Sequence, residues 1–167
     1  MPISSEAFRL ALSHYPSGVT IVTVRAGDKV HGLTVSAFAS VSVEPPLVAV
    51  IIDQRHRAAE LFNASDATFA VNILGEDQIE LSNRFAFVKD EDRFAEGDWS
   101  AAATGAPVLS EALAWLDCTI AERLQAGTHV IYLGLVEASS VPSPGAPPLL
   151  YWQRGYRKLR RPESGDE

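Results

Sequence analysis

The chain has 167 residues, 47% of them hydrophobic, with 14 Lys plus Arg against 21 Asp plus Glu, a formal charge of -7. That is one domain's worth of chain with a real core, and its acidic balance argues against a nucleic-acid surface or an anionic membrane as partner, so an anionic ligand must be held by local groups. Cys118, the single cysteine, excludes an internal disulfide and a Cys-rich metal site, and the absence of a long apolar run or of a basic-then-apolar N-terminus leads us to expect neither a membrane span nor a signal peptide, in keeping with a reducing cytoplasm.

In chain order, a short helix is predicted from about Ser4 to Tyr15, capped by Ser4 or Ser5, with Phe8, Leu12 and Tyr15 on one stripe and Pro16 as its stop. "SGVTIVTV", the turn "RAGDK" and "VHGLTVSA" read as a hairpin. From Leu33 to Val43 every odd position is apolar, while the even ones read Thr34, Ser36, Phe38, Ser40 and Ser42. This is period-two patterning whose polar face carries hydroxyls and no charge. "LVAVIID" reads as a strand buried on both faces. "RHRAAELFNA" is a short helix, "ATFAVNIL" a strand and "EDQIELSNRF" a further helix, and 86–107 is read as loop. Two long strands, "WLDCTIAERL" and "THVIYLGLVEASSV", precede the loop "PSPGAPP", a last short strand "LLYWQ" and a polar tail expected to be disordered. Many strands with short connections predict a mainly β fold, a closed or nearly closed antiparallel barrel with helices at its ends.

No GxGxxG, Walker, HExxH or GxSxG motif is present, and His14, His31, His56 and His129 are too scattered to suggest a metal site. Three features remain. The hydroxyl row suits the edge of a flat, heteroatom-rich ligand, or else fills a barrel interior or a solvent-facing edge. In "LSNRF", Ser82 and Arg84 have the chemistry of a phosphate grip, or Arg84 is a solvated charge at a helix end. In "AGTHVIYLGLV", His129 stands at a strand entrance, and Gly134 inside the strand signals a bulge or a close backbone approach. Cys118, within "LDCTI", reads as a small core side chain.

Taken together, "FRLALSHYPSGVTIVTV", "GLTVSAFASVSVEPPLV", "FAVNILGEDQIELSNRFA", "GTHVIYLGLV" and "PLLYWQRGYRKL" resemble the flavin reductase family, the small reductase components of two-component flavin-dependent monooxygenases. The resemblance implies an FMN-binding split barrel over residues 1–160, with 161–167 as tail, usually assembled as a homodimer. It implies hydride transfer from NADH, with NADPH as the alternative, to FMN or FAD, and delivery of reduced flavin to a partner monooxygenase. By that resemblance the hydroxyl row, including Ser40, faces flavin. Thr34 and Ser36 match positions at the ring edge or the ribityl and phosphate groups, and Val35 and Ala37 contribute backbone. Ser82, Asn83, Arg84 and Phe85 match the phosphate-holding helix end. Asp53 and Gln54 become flavin neighbours, His129 stands beside the nicotinamide, and Tyr156 closes over the flavin or is a structural aromatic. His56 and Ala58 replace hydroxyls common in the family, Ala37 stands where a second Ser is common, and Thr128 where Asp is common. Three other readings are a flavin carrier or sensor without turnover, a pyridoxamine-phosphate-oxidase-like protein and a purely structural or protein-binding domain.

Overall fold

In the computed structural model, residues 1–159 are described, the side chains of 90 and 91 apart; residue 160 and the expected tail lie outside them. Ser4 accepts from the Ala7 N–H at 3.1 Å and so starts α1 (Ser5–Ser13), as its side-chain chemistry predicts. There follow β1 (Ser17–Gly18), β2 (Thr20–Ala26), β3 (Lys29–Val35), β4 (Phe38–Ser42), β5 (Leu47–Asp53), α2 (Ala58–Phe62), β6 (Thr68–Ile73) and α3 (Ile79–Phe87). A 3₁₀ turn (Asp90–Ala95) leads to β7 (Trp99–Ala101), β8 (Pro107–Leu109), β9 (Ala114–Ala126), β10 (His129–Ser140), β11 (Leu150–Trp152) and β12 (Gly155–Arg157).

Seven strands form one antiparallel sheet in the order β3-β2-β6-β9-β10-β5-β4. β3 and β4 are its two outer edges, yet only Ser36 and Ala37 join them. Three Cα steps reach about 11 Å, whereas six strand spacings in a flat sheet would span about 29 Å. The sheet must therefore curl until its edges meet, and the barrel's seam falls at Ser36–Ala37. β11 pairs on either side with β1 and β12 in a small second sheet, and β7 pairs with β8. The mainly β antiparallel barrel with short flanking helices is thus the fold of the described residues.

Inside the barrel Val22, Val24, Val50, Phe69, Val71 and Tyr132 pack together, and Phe62 of α2 plugs one end. A second cluster, with Ile21, Leu74, Phe85, Leu109 and Leu149, lies between β2 and the layer of α3 and the β7–β8 pair. One burial expectation changes as a result. β2 is buried on both faces, because α3 covers its outside. β5 is not: its outer face stays open at Ile51, 37% exposed, and Asp53.

The alternating stretch 33–43 is likewise two strands, not one. Leu33 and Val35 point inward, but the turn at the seam reverses the phase, so Phe38 faces the core while Ala39, Val41 and Val43 face out. Loop 86–107 contains the 3₁₀ turn and β7, and "LLYWQ" continues through a hairpin into β12. Gly134 marks a close approach, as expected: a Cβ there would strike the Phe69 ring, and the β9–β10 register shifts beside it.

Candidate active site

Two of the clefts at the seam meet at Ser36. The smaller, about 340 Å³, lies between the seam, the end of α3 and the β11–β12 hairpin, and Thr34, Ser36, Asn83, Phe87, Tyr151, Arg154 and Tyr156 line it. The larger, about 750 Å³, has a floor of Ala37, Ala39, Ala49 and Ile51 and walls from Leu12, Tyr15, Tyr151, Trp152 and Arg154. Ser36, Tyr151 and Arg154 belong to both.

Of the hydroxyl row, Ser36 is the exposed member at this junction. Thr34 reaches the smaller cleft, but its hydroxyl donates to the Ser82 carbonyl at 2.6 Å and ties β3 to α3. Val35 is buried, and its carbonyl accepts from Thr20 Oγ1 at 2.7 Å. Ala37 offers floor to the larger cleft, with its carbonyl taken by the Ile51 N–H at 3.1 Å. Ser40 is exposed on β4 and lines neither cleft. The phase reversal at the seam separates it from Ser36.

The helix-end residues divide. Tyr156 donates to Asn83 Oδ1 at 3.0 Å, so its phenol oxygen receives the Ser82 hydroxyl at 2.8 Å. That network fixes Asn83 and Tyr156 as a wall of the smaller cleft, with Ser82 buried behind them. Phe85 is fully buried, ringed by Phe94 and Trp99. Arg84 departs from its expected role. Its guanidinium donates to the carbonyls of Asp92 at 2.7 Å and Arg93 at 3.2 Å and pairs with Glu96 at 3.0 Å. It therefore faces the 3₁₀ turn and not a cleft.

Asp53, Gln54 and His129 gather at the far end of β5. Arg55 holds the Asp53 carboxylate through its side chain at 2.7 and 3.1 Å and its backbone N–H at 2.9 Å. Those bonds, with the charges of Arg55 and His129, keep Asp53 well below the usual carboxylate range. Gln54 donates to Gln125. Opposed residues of antiparallel strands share a face, so the rows Ile51–Ile131–Leu124 and Asp53–His129–Ala126 run side by side on the open face. His129 thus stands one pleat repeat, about 6.8 Å, beyond the Ile51 floor. Its Nδ1 lies 2.9 Å from Thr128 Oγ1. Neither Asp53, Gln54 nor His129 lines a cleft.

Sequence reading missed the aromatic and basic wall. Tyr151, Trp152 and Arg154 come from a hairpin read as a single strand, and the one signal for that hairpin was the Arg154-Gly155 dipeptide after an apolar run. Trp152 Nε1 donates to the His14 carbonyl at 3.0 Å, which docks the hairpin on the end of α1.

An apolar floor of small side chains, aromatic walls, one exposed hydroxyl and a guanidinium at the junction fit a flat ring system with a polar edge and an anionic tail. The fold and site therefore define an antiparallel split barrel with clefts of that character at its seam. A family model described as the flavin reductase like domain matches residues 12–160, and the chain belongs to that family. It is 42% identical over 160 residues to the actinorhodin polyketide dimerase of Streptomyces coelicolor, covering 95% of this chain and 89% of that one. It is 40% identical over 155 residues to the reductase component of 4-hydroxyphenylacetate 3-monooxygenase from Thermus thermophilus, covering 92% and 96%. The solved NADH:FAD oxidoreductase of Streptomyces globisporus superposes with a TM-score of 0.88 at 31% identity, covering 96% of each chain.

Proposed function

We infer that residues 1–160 form one NAD(P)H:flavin oxidoreductase domain, which reduces FMN or FAD and passes reduced flavin to a partner monooxygenase. The observation that carries this reading is the seam, where a ring-sized apolar floor meets a hydroxyl and a guanidinium. A bound flavin supplies the acceptor for the nicotinamide hydride. The protein's work is then placement. Ala37, Ala39 and Ala49 have no side chain tall enough to hold a flat ring off the sheet, and Ile51 continues that floor toward His129. In this reading Ser36 faces the ring edge, Tyr156 bounds the tail, and His129 positions the nicotinamide; none needs to move a proton during hydride transfer. NADH is the expected donor because a 2′-phosphate site usually recruits extra Arg or Lys, and the chain as a whole is acidic, with 21 Asp plus Glu against 14 Lys plus Arg.

Mixing the purified protein with FMN or FAD and each pyridine nucleotide tests the function by absorbance. Nucleotide oxidation that scales with added flavin is expected. Flavin binding without turnover would instead make the protein a carrier, and no binding would overturn the reading.

We also propose a homodimer. α1 buries none of its residues, leaving Phe8 at 53% and Leu10 at 58% exposure, Val43 is 92% exposed, and the open sheet face carries exposed Ile51 and Leu124. So much exposed apolar surface suits an interface with a second copy. A sedimentation mass of twice 18.0 kDa is expected, and 18.0 kDa at micromolar concentration would refute it. No helix among the described residues is long and apolar enough to cross a membrane; the cytoplasm, where NAD(P)H is available, is the proposed location.

A further inference from the structure

We propose that Arg154 is the cation that holds the phosphoryl group of the flavin tail, a role that rests on the flavin reading above and that the sequence suggests for Arg84. Three independent observations support it.

The first is availability. Among the described arginines, Arg84 is committed to the 3₁₀ turn, Arg123 to the carbonyls of Phe62 and Ala64, Arg55 to Asp53 and Arg157 to the face of Trp152. Arg154 is exposed and makes no hydrogen bond or ion pair with the described residues. A guanidinium with its paired donors uncommitted matches a phosphoryl group in geometry and in charge.

The second is charge placement. The chain carries 21 Asp plus Glu, yet neither cleft has a carboxylate in its lining. The charged groups there are Arg9, in the larger cleft, and Arg154, in both. A ligand spanning the two clefts passes Ser36 and Arg154 at their junction, where its ring and its tail would part.

The third is backbone strain. Gln153 and Arg154 form the two-residue connection of the β11–β12 hairpin, with φ of 48° and 60°. Both lie in the left-handed region, where Gly, Asn or Asp is the usual choice for such a turn. Gln153 has a structural use for its position, since its N–H donates to the Ser13 carbonyl at 2.9 Å. The two-residue connection itself demands a positive φ at both positions, so the fold needs this conformation at position 154 but not an arginine. An arginine where glycine would carry the turn at less cost, with its side chain lining both clefts, points to the ligand.

The test uses the full chain with two variants, Arg154→Gly and Arg154→Lys, titrated with FMN and with riboflavin, which shares the ring and lacks the phosphate. Glycine adopts this φ without steric cost, so Arg154→Gly should keep or raise Tm. Its FMN affinity should nevertheless fall about tenfold or more, with riboflavin affinity unchanged. Arg154→Lys should retain most of the FMN affinity. Equal losses of FMN and riboflavin would overturn the proposal, making the hairpin a wall for the ring. Unchanged flavin affinity with a raised KM for the pyridine nucleotide would also overturn it, and assign the guanidinium to that diphosphate. Wild-type protein that binds neither flavin would overturn the underlying flavin reading itself, an outcome distinct from the other two.

Discussion

Replacing Arg84 by alanine separates a phosphate grip from a structural tie. The side chain is 19% exposed and spans α3 and the 3₁₀ turn, with bonds to two carbonyls and one carboxylate. A hydrogen bond to a charged group contributes about 1.5 to 3 kcal/mol. Glu96 is 64% exposed, so its ion pair adds only about 0 to 1 kcal/mol, and water can reach the freed Asp92 carbonyl in part because Asp92 is exposed. The net expectation is a loss of about 2 to 3 kcal/mol. For a chain of this size that lowers Tm by about 5 to 10 °C. The turn also carries Phe94, which packs against Phe85 and Trp99, so the loss should appear as global destabilisation. Denaturant unfolding measures it, and parallel titrations with FMN and riboflavin should show both ligands affected alike. An intact Tm with FMN weakened about tenfold, or about 1.4 kcal/mol, beyond riboflavin would refute this and return the phosphate to Arg84.

Ser36→Tyr should abolish flavin binding while circular dichroism and Tm stay near wild type, because the added ring fills the junction of the two clefts without entering the core; retained affinity would remove the seam from the site. His129→Ala should raise KM for the pyridine nucleotide or lower kcat/KM moderately, with flavin affinity little changed, since its place on the open face is beyond the ring floor; wild-type kinetics would leave it a strand-end residue. Burial pushes the Cys118 thiol up to about 12, so native protein should resist thiol reagents and denatured protein react fully. Because the unfolded thiol ionises near 9, the unfolded state alone loses that proton between pH 9 and 12. Stability should therefore fall across that window by about 1.4 kcal/mol per pH unit, and a Cys118→Ala protein with the same pH slope would count against this account.

Local chemistry was legible in the sequence by itself. Ser4 as cap, Pro16 as stop, the two long strands and the need for glycine at position 134 all depend on near neighbours or on a period of two, which a string of residues displays. The family pattern from Phe8 to Leu159 brought the barrel and its chemistry with it. What the tertiary structure alone decided is which of these residues share a surface. The hydroxyl row looked continuous because alternation does not reveal a phase reversal, and closure of the barrel at Ser36–Ala37 sends Ser36 into the clefts and Ser40 away from them. "LVAVIID" looked buried on both faces because apolar residues read the same against a core as against an open face. Arg84 and Arg154 are alike as letters. Only packing distinguishes them: the 3₁₀ turn, some ten residues downstream of Arg84, captures its guanidinium, while a hairpin docked on α1 holds Arg154 over the junction of the clefts. Long-range contacts of that kind have no period and no local motif, so the cation at the site became visible only when the chain was folded.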